Sequence, residues 1–143
     1  MASELPWRFN VRAYGIWLRE EAVLLTRERP TPELELLKFP GGGVEFREGV
    51  EAALRREWHE ETGLSIDHLS HYYTTGFYQA SKFRANEQVI SIYYAVQCRG
   101  EPRAMEPGVS LEWHSLAALD PNRISLPIDQ HVANLLLKSL FRS

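Results

Sequence analysis

A single cysteine, Cys98, cannot form an internal disulfide, so no covalent crosslink within the chain supports this fold. It ends an apolar run, where a buried and inert thiol is expected. Long apolar runs are missing too: nothing approaches the roughly 20 consecutive apolar residues that carry a helix across a bilayer. Met1 to Arg12 has no apolar stretch of signal-peptide length, and the expectation is a soluble, cytoplasmic protein. There is no excess of positive charge, since 16 Lys and Arg against 19 Asp and Glu leave a net charge of −3. That argues against nucleic acid or an anionic membrane as the main partner. Polyphosphates stay accessible where metal ions or local donors offset the repulsion. No repeat runs at a fixed period; Glu-Trp-His recurs at 57–59 and 112–114, but nothing around the two copies matches.

What is present is an ordinary globular mixture, 44% hydrophobic and 24% charged over 143 residues, which suits one domain spanning 1–143. Residues 10–19, carrying Val11, Ala13, Ile16 and Trp17, read as a strand that turns at Arg19-Glu20-Glu21 into a second strand, Ala22 to Thr26. Pro30 and Pro32 predict a loop over 27–35, followed by a short apolar run from Leu36 to Phe39 and a glycine turn at Gly41-Gly42-Gly43. The pattern predicts a helix over 50–62, closed by Gly63 in a left-handed conformation. Strands are expected at 71–78, 88–98 and 110–114, with a loop over 99–109 and a helical turn near 115–119. Ile128, Val132, Leu135, Leu136 and Leu140 recur at helical spacing and predict a final helix over 127–141. The fold class is α/β, a mixed β-sheet with helices packed on both faces.

The helix over 50–62 carries the chemistry. On a wheel starting at Val50, Leu54 falls at about 40°, Trp58 at about 80° and Ala53 at about 300°, which defines the core-facing arc. Glu57 at about 340° and Glu61 at about 20° lie inside that arc, and Glu60 at about 280° lies at its edge. Three glutamates on a helix are ordinarily a solvated surface cluster. Here their angles place charge beside the core, where each carboxylate costs several kcal/mol unless something offsets its desolvation. Arg56 alone cannot neutralise three charges. A hard divalent cation such as Mg²⁺, with oxygen ligands and room for substrate phosphates in its shell, can. Gly41-Gly42-Gly43 just upstream lets backbone approach a ligand closely.

From Gly42 the segment reads Gly42, five residues, Glu48, seven residues, Arg56-Glu57-Trp58, one residue, Glu60-Glu61, one residue, Gly63-Leu64. It resembles the signature of the Nudix hydrolases, which cleave nucleoside diphosphates linked to another group, and all its fixed polar and glycine positions are filled. The resemblance implies an α/β/α sandwich and a Mg²⁺-dependent pyrophosphohydrolase, with Mn²⁺ as the alternative ion. It implies that Glu57, Glu60 and Glu61 bind metal, Glu57 also matching the general base of some members. It implies a Gly41 carbonyl ligand, and a structural salt bridge between Glu48 and Arg56 behind Gly42. Trp58 departs from the bulky aliphatic residue usual there, and altered packing is expected.

Some members recruit a further glutamate from a later loop. Glu106 is the candidate, with Glu87, Glu101 and Glu112 as weaker rivals. Phe77, Tyr78, Phe83 and Arg84 could stack on a base or hold phosphate. The partner is a nucleotide-type diphosphate substrate, and a homodimer would be unsurprising. Two other functions share this scaffold: a catalytically silent nucleotide-sensing module, and an isoprenoid diphosphate isomerase. The first would be expected to have lost a metal carboxylate, and the second finds no Cys and Glu constellation here. Adenosine diphosphoribose hydrolases resembling this family carry a proline past the signature, where this chain has Gln79-Ala80.

Overall fold

Two four-stranded sheets and two helices make up the computed structural model, which describes residues 6–140. The chain runs β1 (Arg8–Ile16), β2 (Leu18–Arg19), β3 (Ala22–Thr31), β4 (Leu34–Lys38), β5 (Gly41–Gly43), α1 (Val50–Thr62), β6 (Ile66–Thr74), β7 (Glu87–Cys98), β8 (Val109–Ser115) and α2 (Pro127–Leu140). Short 3₁₀ turns at Leu116–Ala118 and Pro121–Arg123 lead into α2. One sheet has the order β5-β1-β7-β6, with β1 parallel to β7 and its other pairs antiparallel. In the second, β3 pairs with β8 along one edge, while β2 and β4 share the other.

Alternation along β1 and β3 explains why the layers stack as they do. Tyr14 and Ile16 join Val23 and Leu25 in a core with Ile128, Val132 and Leu136 of α2. Ala13 and Trp17 join Leu24 in a second core with Leu54 and Trp58 of α1. Strands buried on both faces read as nearly unbroken apolar runs, as 13–17 and 22–25 do. The result is the α/β/α sandwich with a mixed sheet that the sequence predicted.

Several boundaries differ from expectation. The predicted loop over 27–35 is mostly strand: β3 continues through Pro30 to Thr31 and β4 starts at Leu34. Pro30 is tolerated because it is exposed, lies beyond the last residue paired with β8, and falls within a register shift against β4. The predicted strand 71–78 is instead Ile66–Thr74, and two register shifts blur its alternation. Gly41-Gly42-Gly43 is a strand and not a turn. Cys98 is only partly buried, because it ends β7 at the rim of the sheet, where its thiol donates to the Ser65 carbonyl. Position 141 of the predicted last helix lies outside the described residues.

Candidate active site

The site is built around β5, an edge strand with no side chains. Hydrogen bonds from Gly15 N to Pro40 O and from Val44 N to Val11 O fix its register against β1. Alternation then turns the N–H and C=O groups of Gly41 and Gly43 outward. Side chains from the neighbouring layers occupy them. Gly41 N–H donates to Glu61 Oε2 at 2.9 Å, and Arg56 Nη2 donates to the Gly43 carbonyl at 3.0 Å. Lys38 Nζ lies 3.5 Å from the Gly41 carbonyl, the atom the resemblance assigns to metal.

Two glycines here have no substitute. Gly41 sits at φ 147°, and a Cβ there would lie 2.1 Å from the Ala13 carbonyl oxygen. A Cβ on Gly42 would lie 2.5 Å from the carboxyl carbon of Glu57, so the absent side chain is what lets Glu57 lie over the strand. At Gly43 the nearest atom, Arg12 Nη1, is an ordinary 3.7 Å away.

The structure places α1 as the wheel requires. Ala53, Leu54 and Trp58 are fully buried, Glu61 is only 5% exposed, Glu57 is partly buried and Glu60 is exposed. Gly63 closes the helix at φ 75° and donates to the His59 carbonyl. Trp58 fits because residue 15 is glycine: a Cβ there would lie 2.5 Å from the indole ring. Among the described residues its Nε1 finds no oxygen partner, in keeping with its apolar surroundings.

Arg56 joins the loop to the helix as expected. Its Nη2 and Nε donate to Glu48 at 2.6 and 3.1 Å, and its Nη1 donates to Glu57 Oε1 at 3.0 Å, with Glu60 at 3.5 Å. Burial pushes the Glu61 carboxyl up to about 8 against the pull of Lys38. Burial also raises Glu57, against the pull of Arg56. In both, desolvation outweighs the neighbouring cation, so a further positive charge beside them would favour the ionised carboxylates. The donors on offer, three carboxylates and a carbonyl, are the hard oxygens that Mg²⁺ and Mn²⁺ prefer. Among the described residues no three acidic, His or Cys side chains converge on one point as they stand. Arg56 draws Glu57 and Glu60 toward itself, and Gly41 N–H holds Glu61.

The later acids fare differently. The Glu106 side chain is exposed and its carboxylate bonds to no described residue; only its carbonyl is used, by Val109 N–H. Glu101 pairs with Arg19, and Glu112 is gripped by Arg27 and by His114. Glu87 is buried beneath Arg8 and Asn10.

A cavity of about 640 Å³, which sequence reasoning missed, opens beside Asn10, Arg12 and Tyr14 of β1, on the face that alternation turns away from Glu57. Its lining includes five cations, Arg8, Arg12, Lys38, Lys82 and Arg84, against the two acids Glu28 and Glu87, in a chain whose net charge is negative. Phe9, Phe46 and Phe83 line it and are exposed, Phe46 fully so. Phe83 and Arg84 thus lie where a base or phosphate could meet them. Phe77 does not line the cavity and packs on His131 instead. A signal was available: Asn10, Arg12 and Tyr14 alternate on β1, which puts one polar face opposite the apolar one.

A family model for the NUDIX domain matches residues 9–135. Among solved structures, a MutT NUDIX hydrolase from Burkholderia pseudomallei is 26% identical, with a TM-score of 0.73 over 88% of this chain and 95% of its own. The E. coli ORF135 protein is 19% identical, with a TM-score of 0.76 over 96% of each chain. A NUDIX hydrolase from Nitrosomonas europaea is 18% identical, with a TM-score of 0.74 over 90% of each. At those two identities the likeness is one of fold. A comparison with curated proteins returned no match. The matched stretch begins within β1, takes in the glycine strand and the glutamate helix, and ends within α2, so the chain belongs to the Nudix hydrolase family.

Proposed function

We propose that this protein is a divalent-metal-dependent hydrolase of a phosphoanhydride bond in a nucleoside diphosphate linked to a further group. One observation carries the reading: Glu57 of α1 lies over Gly42, while Arg12, in the lining of a cationic, aromatic-rimmed cavity, pairs with Gly43 of the same strand. A nucleotide needs both halves, a flat base for aromatic side chains and a phosphate chain for cations. The cavity volume is in the range of small-molecule sites.

Glu57, Glu60, Glu61 and the Gly41 carbonyl would hold Mg²⁺, or Mn²⁺ in its place. When bound, the ion supplies neutralisation of the diphosphate and withdraws electron density from phosphorus. The remaining chemistry belongs to the chain. Arg56 engages Oε1 of Glu57 and leaves Oε2 without a bond among the described residues, available to take a proton from an attacking water. Burial raises the basicity of that carboxylate. Water adds to phosphorus as the anhydride P–O bond breaks, and two phosphate-bearing products separate.

The test is a panel of nucleoside triphosphates, nucleotide sugars and dinucleoside polyphosphates with Mg²⁺, resolving which products are released. Glu60→Gln should fold normally and lose turnover by about two to four orders of magnitude. A folded Glu60→Gln protein with full activity would sink the assignment.

A further inference from the structure

Four arginines among the described residues are partly shielded from solvent: Arg12, Arg19, Arg27 and Arg56. Arg19 pairs with Glu101, Arg27 with Glu112 and Glu35, and Arg56 with Glu48 and Glu57. Arg12 has no such partner. Its Nε donates to the Tyr14 hydroxyl, its terminal nitrogens donate to no described residue, and no described carboxylate comes within 4.0 Å. A shielded guanidinium without an anion is costly, and an anionic ligand would offset that cost.

Its position says which ligand. Arg12 pairs with Gly43 across the β1–β5 ladder and lies on the cavity side of the strand whose other face Glu57 covers. Its field acts on Glu57 and Glu28 without reaching either as an ion pair. Tyr14, which holds it, is buried and stacked on Tyr93 at 5.2 Å, so the fork is anchored. Lys38, on the same floor, is occupied by the carbonyls of Phe39 and Gly41.

We propose that Arg12 holds the part of the substrate's phosphate chain that is not attacked, on the cavity side of β5, as a substrate-positioning residue. The terminal nitrogens face two non-bridging oxygens in the bidentate manner that suits a guanidinium. This rests on the function proposed above and names the element that reads the phosphate chain.

The experiment compares wild type, Arg12→Gln and Arg12→Lys in Mg²⁺ buffer, by steady-state kinetics on the best nucleotide of the panel and by calorimetric titration with inorganic pyrophosphate. Arg12→Gln should raise KM about tenfold or more with kcat within about threefold, and weaken pyrophosphate binding by a similar factor. Arg12→Lys, which keeps the charge and loses the fork, should recover part of both. Unchanged KM and pyrophosphate affinity in Arg12→Gln overturn the proposal, as does a wild type that binds no pyrophosphate. Should Arg12→Gln fail to fold, Arg12→Lys carries the test alone: a KM indistinguishable from wild type overturns it. A wild type that binds pyrophosphate through Arg12 but hydrolyses no nucleotide would overturn the proposed function and leave this assignment standing.

Discussion

Arg56 and Arg12 approach the same three-glycine strand from opposite faces and are bonded in opposite ways. Arg56 reaches Glu48, Glu57 and the Gly43 carbonyl. Arg12 reaches one phenol. A side chain whose donors are all spent inside the protein can fix geometry and has nothing left for a ligand. One whose fork is empty adds little rigidity and has most of its capacity in reserve. The helix face of β5 is therefore built for position, and the cavity face for reception.

Gly42→Ala attacks the helix face most directly. The new methyl group would displace the Glu57 carboxylate, and activity should fall about a thousandfold in a folded protein. Gly43→Ala, next to Arg12, should stay within about threefold of wild type in kcat. Equal losses in the two variants would erase the distinction between the faces.

Asp129 probes the core behind the cavity, whose lining includes its neighbour Ile128. It is fully buried in the first turn of α2, accepts from Tyr93 and from Phe39 N–H, and shares the fields of Lys38 and Arg12. Burial, which outweighs those donors and cations, raises its carboxyl from 3.8 to about 6. The folded state thus holds this proton more tightly than the unfolded state. Its contribution to stability is complete below pH 4 and is lost as the pH rises through about 6. Asp129→Asn removes that slope. Between pH 4 and 7 the wild type should lose roughly 2 kcal/mol relative to the variant in denaturant titrations. Parallel pH profiles would show that Asp129 does not titrate in that window.

Arg56→Gln and Arg12→Gln form the central pair. The first should lower Tm by about 5 °C and also reduce kcat, since Glu48 and Glu57 are both released. The second should leave Tm within about 2 °C of wild type. Reversed thermal effects would mean that Arg12 is the architectural residue.

The smallest effect tests how tightly the helix face is packed. Gly15→Ala should destabilise the wild type by about 1–3 kcal/mol through the clash with Trp58. In a Trp58→Leu background the same change should cost less, with a coupling of about 1 kcal/mol in a double-mutant cycle. Strict additivity would place the clash elsewhere.

Much of the helix face was legible in the sequence, because the 3.6-residue period converts positions directly into angles. Glu61 at 5% exposure follows from its place beside Leu54 and Trp58 on the wheel. The Glu48–Arg56 bridge followed from the resemblance. The cavity face was much less legible. Phe83 and Arg84 were candidates, but an arginine without an anion is defined by what fails to surround it, and no local pattern records that. Lys38 lay unremarked inside a run read as apolar from Leu36 to Phe39, and only tertiary packing buries it. Gly41-Gly42-Gly43 has the composition of a turn, yet pairing requires backbone alone and β1 supplies it. Trp58 stood out as unusual in one dimension, whereas Gly15, 43 residues earlier, explains it only in three.

The bonds along the outer edge of β5 have a consequence for solubility. An edge strand without side chains is an open template on which another chain can add a strand. Here Glu61 occupies the outward N–H of Gly41, and Arg56 occupies the outward carbonyl of Gly43. The same charges that organise this edge also deny it to neighbouring chains. Variants that neutralise Glu61 or Arg56 expose bare backbone and become prone to self-association, quite apart from any effect on turnover.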